Sequence, residues 1–191
     1  MGHGVRSALV TAMVRALVEE LRTIALDPGA LLTRINHDIR AILQQTGTPL
    51  FTTAFYLVVD LEKREMHFAN AGHPRPFLLH KNNTVEVLKV ADAKSYPALG
   101  LFPDTIYPTM HREIRGGDQV MLFTDGLYEV EAENGEQFSQ SMLFNAVQKH
   151  PGLGCADLFD ALLADIQNFS GSAQFADDVC LVGMQVSDRL K

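Results

Sequence analysis

The spacing of apolar residues in the first quarter of the chain predicts two amphipathic helices. From Val10 to Leu21 the apolar positions recur at i, i+3, i+4, i+7, i+8 and i+11, which is one face of a helix. Asp27 and Pro28 then form an N-cap followed by proline at the first helical position. We expect the second helix to fray within residues 44–49 and to bury Leu31, Leu32, Ile35, Ile39, Ile42 and Leu43.

The period then changes to two, which predicts a block of strands joined by short turns. The first of these strands is a continuous β-branched and aromatic run, as expected for a strand covered on both faces. Polar residues 61–64 and the turn at 81–83 divide the next segments into two hairpins. The predicted strands are Phe51–Asp60, Glu65–Ala71, Phe77–His80, Val85–Val90, Tyr107–Ile114 and Gln119–Phe123.

Helical spacing returns within residues 142–147 and 158–166, and Val179–Val186 reads as a final strand. Helices, a block of hairpin-linked strands, and helices again do not give the regular alternation of a doubly wound sheet. The order predicts an α+β fold, with an antiparallel core and helices packed on its faces. No repeat, low-complexity stretch or linker divides the sequence, so we expect residues 1–191 to form a single domain.

The charge balance narrows the classes of partner. The sequence carries 23 acidic and 16 basic side chains, a formal net charge of −7. This acidity argues against binding to nucleic acid or to an anionic membrane, since both require a cationic face. No apolar run reaches the ~18 residues of a membrane helix, and no secretory leader pattern opens the sequence. We therefore expect a soluble, cytoplasmic domain.

Carboxylates at strand ends are the main candidates for chemistry. No G-x-S-x-G elbow and no glycine-rich phosphate loop is present. Asp125 follows an apolar strand and precedes a glycine, while Asp177 and Asp178 come directly before the last strand. Such carboxylates are hard oxygen ligands that suit Mg²⁺ or Mn²⁺. Since Asp-Gly after a strand is also ordinary turn chemistry, spacing alone leaves both interpretations open.

Six ordered motifs together resemble the metal-dependent protein phosphatase (PPM, protein phosphatase 2C-like) family. The branch they resemble most is that of stage II sporulation protein E and the sigma-B regulation phosphatases, and the resemblance covers essentially all 191 residues. The motifs are Gly2-His3-Gly4-Val5, Phe51-Thr52-Thr53-Ala54-Phe55, Ala69-Asn70-Ala71-Gly72-His73-Pro74, Leu99-Gly100-Leu101, Gly117-Asp118 followed by Phe123-Thr124-Asp125-Gly126 with Glu129, and Asp177-Asp178-Val179.

The resemblance implies a four-layer αββα sandwich, with two antiparallel sheets flanked by helices and a centre of two Mn²⁺ or Mg²⁺ ions between the sheets. In the family, the positions of Asp125 and Asp177 are metal ligands, and hydroxide activated by the metals attacks the phosphorus. Asp178 either takes a second metal or bonds to backbone N–H groups. His3 is a candidate for protonating the leaving group, with a supporting turn residue as the alternative.

One of the six motifs contains candidate substrate-binding residues, and another, the first, is incomplete. Asn70, Gly72 and His73 form a loop that contacts substrate or simply turns the chain. The family motif Asp-x-x-Gly-His-Gly begins with an aspartate that bridges both metals, but in this sequence Met1 directly precedes Gly2. The sequence therefore resembles an N-terminally truncated domain that lacks the first strands and supplies part of the metal site.

The resemblance implies a serine/threonine phosphoprotein phosphatase domain from a bacterial signalling protein. The branch implies a phosphorylated anti-sigma-factor antagonist as substrate and a sensor or receiver domain upstream. A degenerate PPM-like module that binds its regulatory partner without hydrolysis is the alternative. A metal-dependent phosphoesterase acting on small molecules is the third possibility if the resemblance misleads.

Overall fold

The computed structural model describes residues 5–43, 51–90, 95–172 and 174–187. These residues form the helices α1 (Val5–Glu20), α2 (Pro28–Leu43), α3 (Gln140–Lys149) and α4 (Cys155–Ser170). The strands are β1 (Ala54–Asp60), β2 (Glu65–Ala71), β3 (Phe77–Leu79), β4 (Val85–Val87), β5 (Met110–Glu113), β6 (Gln119–Phe123), β7 (Val130–Glu131), β8 (Gln137–Phe138) and β9 (Leu181–Gln185). They group into two compact units, one with α1, α2, β1, β2 and β5, and the other with the remaining elements.

In the first unit, two helices pack on an antiparallel sheet of order β1-β2-β5. Helix α2 begins where the sequence predicts, because the Asp27 side chain accepts hydrogen bonds from the N–H groups of Gly29 and Ala30, each at 3.2 Å. The β1–β2 hairpin has Ala54 opposite Ala71, as its predicted turn requires. The buried apolar side chains of this unit are Leu17, Leu31, Leu32, Ile35, Ile39, Ala69, Ala71, Leu99 and Tyr107.

Besides strand ends that differ by up to three residues, two expectations about burial in this unit differ from the structure. Ile42, predicted to be buried, is 39% exposed, because it lies in the last turn of α2, beyond the last buried residue, Ile39. All seven residues of β1 are half-buried rather than fully covered, since β1 lies at the edge of the described three-stranded sheet. The side chain of Leu43 and the predicted fraying at 44–49 lie outside the described residues.

In the second unit, α3 and α4 pack on an antiparallel sheet of order β4-β3-β6-β9. Strand β6 is central and buried, and β9 pairs along its whole length from Gln119–Gln185 to Phe123–Leu181. The Phe77 and Phe123 rings lie 4.9 Å apart between centroids in the core of this unit. Its other fully or nearly fully buried apolar residues include Met121, Leu127, Leu143, Val147, Leu158, Leu162 and Ile166.

Helices and antiparallel strands in separate blocks confirm the predicted α+β class. The short hairpin β7–β8 was not predicted, because two-residue strands are too short to show a period. Within the described ranges, no helix has the length and apolar character needed to cross a bilayer.

Candidate metal centre

Asp125 lies where the buried strand β6 ends and the chain turns. The turn from Asp125 to Leu127 is a short 3₁₀ helix, and Leu127 anchors it in the core with no exposed surface. The Asp125 carbonyl accepts hydrogen bonds from the N–H groups of Tyr128 and Glu129, both at 2.9 Å. The backbone of Asp125 is therefore fixed at its carbonyl, while the residue itself is exposed.

Asp177 and Asp178 lie directly beside this turn. The Thr124 N–H donates to the carbonyl of Cys180 at 3.1 Å, and the Thr124 hydroxyl donates to the carbonyl of Asp178 at 3.1 Å. A Cβ atom at Gly126 would lie 2.6 Å from the Asp178 carbonyl oxygen, so a residue larger than glycine would force the two segments apart. The structure thus brings together the segments of the three carboxylates that the sequence singled out.

The orientation of two of these carboxylates is tied to the backbone. One oxygen of Asp125 accepts from the Gly126 N–H at 3.2 Å, and one oxygen of Asp177 accepts from the Asp178 N–H at 2.7 Å. Among the described residues, no lysine, arginine or histidine forms an ion pair with these aspartates or with Asp178. The site therefore concentrates negative charge that no basic side chain in the described ranges balances.

The chemistry of this donor set fits a hard divalent cation, because carboxylate oxygens are the preferred ligands of Mg²⁺ and Mn²⁺. In the part of the chain that the structure describes, no group of three histidine, cysteine, aspartate or glutamate side chains is arranged to hold a metal ion. The type of donor fits, but the described donors do not by themselves make a closed site. His3, the candidate acid, lies outside the described residues.

Tyr128 and Thr124 are neighbours of this site that the sequence interpretation did not single out for a role. The Tyr128 ring packs edge-on against Phe123 with 6.1 Å between centroids. Burial raises the pKa of the Tyr128 phenol, and the negative charges of Asp125 and Glu129 raise that pKa further. Thr124 could have been noticed as a hydroxyl at the end of a buried strand, next to a candidate ligand.

Asn70, Gly72 and His73 lie together in a turn of the first unit. The Asn70 side chain is buried, donates to the His73 carbonyl and accepts from the His73 N–H, both at 2.9 Å. Gly72 has φ +73°, a conformation that glycine adopts without strain, and packs closely against Ala98. These contacts account for the turn structurally, and contact with substrate stays a prediction for these three residues.

Comparison with known proteins gives matches over nearly the whole chain. The sequence model of the family described as Stage II sporulation protein E (SpoIIE) matches residues 1–187. Two relatives from Bacillus subtilis (strain 168) are phosphoserine phosphatase RsbP, 25% identical over 97% of this chain and 44% of its own length, and phosphoserine phosphatase RsbU, 28% identical over 95% of this chain and 52% of its own length. The chain therefore spans about half the length of these curated relatives.

A solved structure shows the same fold. The SiaA-PP2C domain of Pseudomonas aeruginosa is 23% identical, with a TM-score of 0.79 over 97% of this chain and 72% of that one. This similarity confirms the α+β fold class as that of PP2C domains. Because the family model covers all but the last four residues, the chain belongs to the SpoIIE family and is a PP2C-type phosphatase domain of the SpoIIE/RsbU type.

Proposed function

We propose that the protein hydrolyses phosphoserine or phosphothreonine in a bacterial regulatory protein and depends on Mn²⁺ or Mg²⁺. The substrate class we favour is a phosphorylated anti-sigma-factor antagonist, encountered in the cytoplasm. The names of RsbP and RsbU as phosphoserine phosphatases support the type of reaction. The metal dependence of the PP2C-type family supports the choice of cofactor.

The observation that carries the proposal is the contact between the Asp125 turn and the Asp177–Asp178 segment. These residues are 52 positions apart in the sequence, yet the Gly126 Cα approaches the Asp178 carbonyl so closely that no side chain fits between them. Three exposed carboxylates on two touching segments, unpaired with any described cation, repel one another in the absence of a metal. A divalent cation removes this repulsion, which makes these segments the natural place for one.

The three aspartates share the binding of the cation. Asp125 and Asp177 hold the cation, and Asp178 is the third candidate ligand. When bound, the cation supplies Lewis acidity that activates water and neutralises charge on the phosphoryl oxygens. The Gly126 and Asp178 N–H groups donate hydrogen bonds that orient the carboxylates of Asp125 and Asp177. Because these carboxylates are already oriented, less conformational entropy is lost when the cation binds.

The proposed substrate contacts come from the loop that contains Asn70, Gly72 and His73. Asn70 fixes the backbone of His73, so we assign Asn70 a supporting part and His73 the contact with the phosphoprotein. The His73 ring is half-buried beside Phe55, with 6.3 Å between ring centroids. A sensor or receiver domain in the full-length protein would control the activity.

The first prediction is that Asp125→Asn abolishes the metal-dependent activity. The change preserves shape but removes one of the negative charges that hold the cation. We expect kcat/KM to fall by about a hundredfold or more, because metal-assisted stabilisation amounts to several kcal/mol. The measurement is Mn²⁺-dependent phosphate release from a phosphoserine protein and from para-nitrophenyl phosphate, with the protein in its natural length.

Asp160→Asn is the matched control, because Asp160 is an exposed aspartate on α4 and forms no described ion pair. It should retain wild-type kinetics. Wild-type turnover by Asp125→Asn at saturating Mn²⁺ would contradict the proposal. Tight Mn²⁺ binding by the wild type without hydrolysis of any phosphoprotein would instead favour the non-catalytic, partner-binding alternative.

A further inference from the structure

The loop that contains Asp177 and Asp178 has little structure of its own. Among the described residues between α4 and β9, 171–172 and 174–180, none belongs to a helix or strand. Both aspartates are exposed, so no burial of their side chains fixes them. Phe175 and Val179 of this segment pack against the core of the second unit, and hydrogen bonds along its backbone add to this anchoring beside Asp125.

Thr124 makes three of those contacts. Its N–H donates to the Cys180 carbonyl at 3.1 Å, which continues the β6–β9 ladder one step beyond the last pair, Phe123–Leu181. Its hydroxyl accepts from the Cys180 N–H at 2.9 Å and donates to the Asp178 carbonyl at 3.1 Å. The Thr124 side chain thus takes the place of the next backbone hydrogen bonds between β6 and β9, at the point where the two strands separate.

The Asp178 carbonyl is confined from two directions. The Thr124 hydroxyl binds it, and the Gly126 Cα packs against it so closely that an added Cβ would lie 2.6 Å away. The N–H of the same residue, Asp178, binds the Asp177 carboxylate at 2.7 Å. A shift of the Asp178 backbone would therefore move the Asp177 carboxylate, although Thr124 does not touch that carboxylate in the structure.

We propose that Thr124 is a positioning residue: its hydroxyl holds the Asp177–Asp178 segment in place beside Asp125, so that the carboxylates are gathered before a cation binds. The inference rests on the proposed metal site. Without the hydroxyl, mutual repulsion of the carboxylates is opposed by fewer bonds, and part of the energy of cation binding must be used to bring the segment back.

The experiment compares Thr124→Val, which keeps the shape but loses both side-chain hydrogen bonds, with Thr124→Ser, which keeps the hydroxyl. Mn²⁺ binding is measured directly by electron paramagnetic resonance, independently of activity. We expect Thr124→Val to weaken Mn²⁺ binding by about tenfold, the effect of one or two net hydrogen bonds, and Thr124→Ser to restore it to within about twofold.

Two further measurements separate positioning from general stability. Hydrogen exchange should be faster at the Cys180 amide in Thr124→Val, because that N–H bonds to the threonine hydroxyl. Thr105→Val is the matched control, since the Thr105 hydroxyl also bonds to a backbone carbonyl, that of Phe102, and should leave Mn²⁺ affinity unchanged. A lower thermal midpoint in both variants, with Mn²⁺ affinity lost only in Thr124→Val, supports positioning.

The results that would refute this inference differ from those that would refute the proposed function. Mn²⁺ binding by Thr124→Val as tight as by the wild type would overturn the inference, and so would failure of Thr124→Ser to restore it. Absence of Mn²⁺ binding in the wild type would overturn both the metal site and the inference. Wild-type binding without hydrolysis, with binding weakened in Thr124→Val, would refute the proposed reaction and uphold the positioning role.

Discussion

Asp27 is the residue that links the start of α2 to a second segment of its unit. Its carboxylate accepts hydrogen bonds from the Thr109 hydroxyl and from the N–H groups of Gly29 and Ala30. These bonds, that from Thr109 first, lower the pKa of Asp27 below its ordinary value. Since the folded pKa is lower than the unfolded one, the ionised carboxylate stabilises the fold above about pH 4.

We therefore expect Asp27→Ala to lower the free energy of unfolding by about 1 kcal/mol at pH 7, the usual effect of losing an N-cap. The difference from the wild type should shrink as the pH falls below about 4, because protonation then removes the same interaction from the wild type. Urea unfolding at several pH values measures this. Asp160→Ala is the control, and a pH-independent deficit for Asp27→Ala would contradict the argument.

At the scale of elements, α4 and β9 pack unusually closely. A Cβ at Gly183 would lie 2.8 Å from both the Cβ and the Sγ of Cys155 and 2.9 Å from the Phe159 ring. Gly183→Ala should therefore force the helix and strand apart and destabilise the protein by about 1–3 kcal/mol. Thermal unfolding measures the loss.

Gly154→Ala is the control for that substitution, because a Cβ at Gly154 meets no atom within 4 Å. An alanine there should cost about 0.5–1 kcal/mol, through the poorer N-cap alone. Equal losses from the two substitutions would show that the close α4–β9 contact does not determine the effect.

Most elements could be predicted from the sequence because their apolar spacing reflects a buried face. The β1–β2 hairpin and α2 are examples, since Leu31, Ile35 and Ile39 all face the core. The β7–β8 hairpin cannot be predicted from apolar spacing, although the Asn134-Gly135 pair between its strands is a turn signal. Its strands are too short for periodicity, so turn chemistry was the one available signal.

The candidate residues of the site could be proposed from the sequence, but the hydrogen bonds that hold their segments together could not. Carboxylates at strand ends are visible in the sequence, and the family resemblance indicated Asp125 and Asp177 as metal ligands, a role that stays a prediction. The hydrogen bonds of Thr124 depend on the register between β6 and β9, which places Thr124 beside Cys180, 56 positions away in the sequence. Local patterns do not specify that register, because a shift by two residues keeps the same faces buried.

At the scale of the whole molecule, a chain with a net charge of −7 can bind cations at the proposed centre or elsewhere on its surface, and binding at either place is linked to stability. Ligands that bind the folded state stabilise it by mass action, by about 2.7 kcal/mol at a concentration one hundred times Kd. We expect Mn²⁺ to raise the thermal midpoint of the wild type above its value in KCl at the same ionic strength. KCl is the reference because it screens the protein's charges equally but supplies no divalent cation.

Asp125→Asn should have opposite effects in the two states of the protein. Without metal, it removes one charge from a cluster of repelling carboxylates, so its thermal midpoint should equal or exceed that of the wild type. With Mn²⁺, it lacks a ligand and should gain little or nothing, while Asp160→Asn should retain the full Mn²⁺-induced rise. Differential scanning fluorimetry across a Mn²⁺ titration measures both effects. A full Mn²⁺-induced rise in Asp125→Asn would mean that the cation binds elsewhere on the acidic surface, and the metal centre at Asp125 and Asp177 would then be wrong.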